Sequence, residues 1–123
     1  MKTAELKGVE LDLWVAKAEG LRSEIDDYLG HQMIHVFNGP DAKRSAPYSP
    51  SGWWNYGGPI IERERIAVQP VILVNSEMRS TDWNAWINDH SEAEGIDGPT
   101  PLIAAMRAYV ASKFGEEVSD EVC

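Results

Sequence analysis

The sequence predicts an α+β domain: a small, mainly antiparallel sheet with an N-terminal helix, a short central helix and a packed C-terminal helix. Three observations predict it. The segment "GPTPLIAAMRAYVASKFGEE" has a helix start, an apolar stripe and a helix stop in register. Three short runs, "HQMIHVF", "AVQPVILV" and "TDWNAWIN", are rich in residues that suit a pleated surface. Helical patterns stand on either side of these runs rather than alternating regularly with them.

Taken in chain order, the first helix is expected over Leu11 to Glu19, with Leu11, Trp14, Val15 and Ala18 as its apolar face and Gly20 as its stop. Residues 21–30 read both ways: Leu21, Ile25 and Tyr28 keep helical spacing, while Asp26, Asp27 and Gly30 argue for a turn. "HQMIHVF" reads as a strand ended by Asn38-Gly39-Pro40. Pro59, after Gly58, is expected to open a short helix through "PIIERERI". In "AVQPVILV", Pro70 confines the strand to a sheet edge or to the residues after it. In "TDWNAWIN", Trp83, Ala85 and Ile87 face one way and Asn84, Trp86 and Asn88 the other. The last helix has Thr100 as N-cap, Pro101 as its first residue and Gly115 just past its end. Leu102, Ile103, Met106, Tyr109, Val110 and Phe114 form its stripe, and Lys113 suits the last turn. The whole of residues 1–123 is expected to be one domain, with an acidic tail that frays from about residue 116.

Composition narrows the function. The net charge is −9, with 20 acidic and 11 basic residues. The first 30 residues carry seven acids against four bases, and residues 91–123 carry seven against two. This balance disfavours direct binding of DNA or RNA and reads first as a device for solubility. The one cysteine, Cys123, allows no intrachain disulfide. No apolar run approaches the length of a membrane span, and "MKTAELKGVELDLW" lacks a signal-peptide core. A soluble cytoplasmic protein with no membrane partner is expected.

No motif names a reaction. His31 and His35 share a face of a strand but stand about 13 Å apart at strand rise, too far to hold one ion. His90 lies in a polar loop. Ser49, Ser51 and Ser76 lack a nucleophile-elbow frame, and Cys123 lacks ordered surroundings. Glu62 and Glu64 alternate with Arg63 and Arg65, as on a solvated helix face. No catalytic residue, metal ligand or cofactor is assigned, and the chain is read as leaning away from an enzyme.

One stretch stands apart. "YSPSGWWNYGGPIIERER", residues 48–65, crowds aromatics, glycines and prolines. Its first reading is a lid whose rings pack on the core. Its second is a ligand site of Tyr48, Trp54, Gly57, Gly58 and Arg63. In that site, amides of a helix opening at Gly58-Pro59 meet an anion, a ring covers a flat face and the guanidinium adds a forked contact. The ligand class is a small anionic or planar molecule, or a host or phage protein. Five tryptophans and an edge near "VILV" add the expectation of a homodimer.

The blocks "ELKGVELDLWVAKAEG", "YSPS" followed by a tryptophan and "GGPIIERE", and "TPLIAAMRAYVASKFGEEV" resemble the NinX family of small bacteriophage proteins. The family pattern carries polar residues where Gly52, Trp53, Asn55 and Tyr56 stand here, and Trp54 matches its usual tryptophan. The resemblance implies a phage accessory protein working in an infected bacterial cell, and it implies no activity. A non-enzymatic binding protein follows as the main expectation. The alternatives are an acidic decoy of a host nucleic-acid enzyme, or a small enzyme with its site under the 48–65 loop.

Overall fold

The computed structural model describes residues 2–28, 31–37, 44–71, 81–87 and 95–118. Among these described residues, three α-helices and two three-stranded antiparallel sheets build the α+β fold. A 3-10 turn over Thr3–Glu5 leads into α1, Gly8–Ala18. Leu11 and Val15 are fully buried as expected, and Leu13, Ala16 and Asp12 join them. Gly20, at φ 72°, takes the left-handed turn that ends the helix.

Within the 21–30 stretch, Arg22–Tyr28 form neither helix nor turn but a strand, β1, and Leu29 and Gly30 lie outside the described residues. It pairs along its whole length with β2, His31–Phe37, setting Ile25 opposite Ile34. Local spacing gave way to this pairing, which also brings Ile25 onto the core. A strand absent from the sequence reading, β3 (Arg44–Tyr48), pairs with the other edge of β2 and sets Tyr48 opposite Ile34.

The second sheet is ordered β4 (Ile66–Pro70), β5 (Trp83–Ile87), β6 (Ile96–Gly98). Pro70 closes β4, an edge strand, where its missing N–H is tolerated. Trp83, Ala85 and Ile87 turn toward the core as the alternation predicted. Asn38-Gly39-Pro40, most of "VILV", Ser76, Asn88, His90 and Cys123 lie outside the described residues.

The central element is α3, Pro101–Phe114, capped by Thr100, whose hydroxyl accepts from the amide of Ile103 at 3.1 Å. It packs against α1 and α2 and against all three strands of the second sheet, while α1 packs on β1 and β2. The stripe expected on α3 is buried at Leu102, Met106, Tyr109 and Val110, but Phe114 is exposed. Ala104, Ala105, Ala108 and Arg107 are buried as well, because the helix is covered from two sides. The Arg107 guanidinium is accommodated by carbonyls: Nε donates to Leu6 O at 2.7 Å and Nη1 to Asp97 O at 2.8 Å. Burial holds its pKa below the ordinary value.

Of the acidic tail expected to fray from about residue 116, residues 116–118 are described and make contacts, and residues 119–123 lie outside the described residues. Thr3 N donates to Glu116 O at 2.8 Å, Lys2 bridges Glu117, and Val118 is buried. No helix among the described residues is long and apolar enough to cross a membrane. Among those residues no cluster of three or more His, Cys, Asp or Glu could hold a metal.

Candidate functional site

The 48–65 stretch is anchored from below by a residue that the sequence reading passed over. Asp12, on the buried face of α1, accepts the amide of Ser51 through Oδ1 at 2.9 Å and the hydroxyl of Ser49 through Oδ2 at 3.2 Å. Burial pushes its pKa up to about 6, and the hydrogen bonds from Ser51 and Ser49 offset only part of that. Ser49 O in turn accepts the amides of Gly52 and Trp53, at 3.1 and 2.8 Å, closing a turn just before α2. The signal for Asp12 was present: an acid between Leu11 and Leu13, three residues before Val15, sits on the apolar face of α1.

Helix α2 spans Trp54–Glu64, so it opens five residues before Pro59 rather than at it. Gly58 and Pro59 are interior positions, and the anion-binding terminus expected there is absent. The proline removes one helical hydrogen bond, to the carbonyl of Asn55, an exposed residue that water can reach. Gly57 explains why the helix runs through this region. A Cβ there would meet Pro50 O at 2.5 Å and Leu102 Cδ2 at 2.6 Å, so the glycine lets α2 seat directly on the loop and α3. The helix ends at Arg65 in the left-handed conformation, φ 55°.

The rings divide into two sets. Tyr48 is buried, and Tyr56 packs against it edge-on at 5.0 Å. Burial, then the charges of Glu19 and Asp12, raise the pKa of Tyr48, so its phenol stays protonated. Trp53 stacks on Tyr56 at 5.8 Å yet is 41% exposed, and Trp54 is 57% exposed. The lid reading therefore holds for the tyrosines and fails for the tryptophans. With Trp53 as N-cap, the start of α2 points their indoles outward, where the core offers them no slot.

Arg63 forms a clasp across three helices. Nη1 and Nη2 donate to Glu19 Oε1 and Oε2 at 2.9 and 2.5 Å, and Nε donates to Glu64 Oε2 at 2.9 Å. The Tyr109 hydroxyl donates to Glu19 Oε2 at 2.6 Å. Burial pushes Glu19 up, but the hydrogen bonds from Arg63 and Tyr109 outweigh it and keep the carboxyl below its ordinary range. The bonds to Glu19 and Glu64 raise the pKa of Arg63. Of the five residues assigned from sequence, Tyr48 and Gly57 thus lie in the framework. Gly58 lies beside the Trp54 ring, Trp54 is at the surface, and Arg63 is engaged by Glu19 and Glu64.

The family model described as Bacteriophage P22, NinX matches residues 2–113. The chain belongs to the NinX family. No curated protein matches it. The NinX match takes in Asp12, the whole 48–65 stretch, Glu19 and Tyr109, and also residues 21–47 and 67–98, where no resemblance was read from the sequence. It brings no activity with it.

Proposed function

We propose that this NinX-family chain is a non-enzymatic interaction protein that acts in the cytoplasm of the infected bacterial host. Its contact surface is the start of α2, with Trp53 and Trp54 as anchors. The observation that carries this reading is the exposure of those two rings, 41% and 57%, on a segment held down by buried Tyr48, Ser51, Gly57 and Ile60. Exposed tryptophans held on a rigid support are the usual anchors of protein interfaces.

A protein partner is favoured over the small anionic ligand. The guanidinium that such an anion needs is already shared between Glu19 and Glu64, and no helix opens at Gly58. The enzymatic alternative would enlist Asp12, with its pKa of about 6. Both of its oxygens already accept from the loop, which favours a structural duty.

The test is co-purification from infected cells of the tagged chain and its Trp54→Ala variant, with thermal melting of each. The reading expects the variant to lose its partner while melting with the parent. A variant that melts early, or that keeps every partner, overturns it.

A further inference from the structure

The two anchors at the start of α2 stand in an uncharged setting. Residues 45–61 contain no Asp, Glu, Lys, Arg or His, in a chain whose residues are 25% charged. The carboxylate beneath them, Asp12, is buried, and Arg63 at the far end of α2 is engaged by Glu19 and Glu64. A charged segment docking here would lose hydration and meet no opposite charge.

Each ring is supported on one side. Trp53 lies against Tyr56, with centroids 5.8 Å apart and planes 22° apart, and Tyr56 is braced edge-on by buried Tyr48. Trp54 lies toward Gly58, where a Cβ would come to 3.9 Å from its Cε3, and the glycine puts no side chain over the ring. Both indoles remain exposed.

An indole also has a directional need, because its N–H is a donor with no acceptor beside it. Neither the Trp53 nor the Trp54 N–H donates to a described residue. A segment that covers these rings must bring acceptors or strand the donors. A helix spends its carbonyls internally, except in its last turn. A β-strand brings carbonyls but also N–H groups, which need acceptors that indoles do not offer. A polyproline II segment brings carbonyls free of internal hydrogen bonds, and each proline removes an N–H. Its uncharged rings lie on aromatic faces in proline-recognition grooves generally.

We propose that the Trp53–Trp54 surface binds a proline-rich segment of its protein partner in the polyproline II conformation. Proline rings stack on the indoles, and the indole N–H groups donate to carbonyls of the segment. This rests on reading the start of α2 as an interaction surface and adds the chemistry of what it meets.

The test is titration of the protein with decaproline while indole N–H resonances are followed. Trp53 and Trp54 should shift saturably at millimolar peptide or below, with Trp14, Trp83 and Trp86 unmoved. An alanine-based helical peptide of the same length should shift neither. Trp54→Phe keeps a ring and removes the N–H, so it should weaken decaproline binding about three- to tenfold, the net worth of one hydrogen bond. Trp53→Phe gives a second reading of the same kind. No shift at millimolar decaproline overturns the proposal, as do an equal response to the helical peptide and Phe variants that bind as tightly as the parent. If decaproline fails while Trp54→Ala still loses a partner in infected cells, the proline-rich assignment falls and the interaction reading stands. If Trp54→Ala keeps every partner, the interaction reading itself falls.

Discussion

Replacing Asp12 with asparagine separates the charge of this residue from its hydrogen bonds. An asparagine oxygen can accept from the Ser51 amide as Oδ1 does now, and the Ser49 hydroxyl can rotate to accept from the new side-chain amide. The charge is lost. In the folded protein Asp12 titrates near 6, against 3.8 for the ordinary group. A pKa raised by folding gives stability that is complete below the unfolded value and lost as pH rises through the folded one. Between about pH 4 and pH 6 the parent should therefore lose stability relative to Asp12→Asn. The two-unit gap, at about 1.4 kcal/mol per unit, makes the loss roughly 3 kcal/mol, with a plateau above pH 6. The other acidic groups cancel when the two proteins are compared at the same pH. Urea unfolding at pH 4.5, 5.5, 6.5 and 7.5 measures the difference. A gap that is constant across the series would refute the assignment of a buried, charged Asp12 at neutral pH. Asp12→Ala is the complement: it strands the buried Ser51 amide and should destabilise by about 1–3 kcal/mol near pH 4, where Asp12 is protonated in the fold and its removal relieves no buried charge.

The remaining expectations need less argument. Gly57→Ala should destabilise by about 1–3 kcal/mol in denaturant melts despite alanine's better helix propensity, because the new methyl meets backbone at Pro50. Arg65→Gly should stabilise by up to about 1 kcal/mol, since the left-handed backbone at φ 55° suits glycine; a lower melting temperature would count against it. Met106→Asp places a charge on a fully buried position of α3 and should cost several kcal/mol, so an unchanged melting temperature would refute the burial. Duplex DNA should show no binding by fluorescence anisotropy at physiological salt, given the net charge of −9; salt-sensitive micromolar binding would contradict this.

The parts of the fold that were legible in the sequence are those where local chemistry and tertiary packing agree. Thr100, Pro101 and Gly115 punctuate α3 by capping rules that need no neighbour. The alternation at Trp83, Ala85 and Ile87 marks β5 because one face of its sheet is covered. What escaped depends on partners distant in sequence. β1 carries Asp26 and Asp27, poor strand formers, and is a strand because β2 pairs with it. The start of α2 was misplaced because Gly58-Pro59 looks like punctuation, whereas the packing of Gly57 against Leu102, a residue 45 positions later, continues the helix through it. In the candidate site the aromatic stretch was visible as composition. Asp12, Glu19 and Tyr109 were not, since each was read as part of its own helix and meets the stretch only through the fold.

Several departures from local preference among the described residues gather around one segment. A carboxylate is buried under it at Asp12, a glycine and a proline stand inside its helix at Gly57 and Pro59, and a left-handed arginine ends it at Arg65. Each costs stability by itself, and a segment needed only to cover the core has simpler solutions in a plain helix with apolar contacts. Together these features hold the turn after Tyr48 rigidly against α1 and seat α2 close on α3, with Arg63 tying its far end to Glu19. The result is a well-supported helix start that carries two exposed indoles. Stability given up for a fixed orientation is the pattern expected of a recognition surface, where ordering before binding lowers the entropy lost on association. A lid would show the opposite distribution, with Trp53 and Trp54 turned inward and the framework left loose. The placement of strain and exposure together, more than either alone, is what supports reading the start of α2 as the working face of this NinX-family protein.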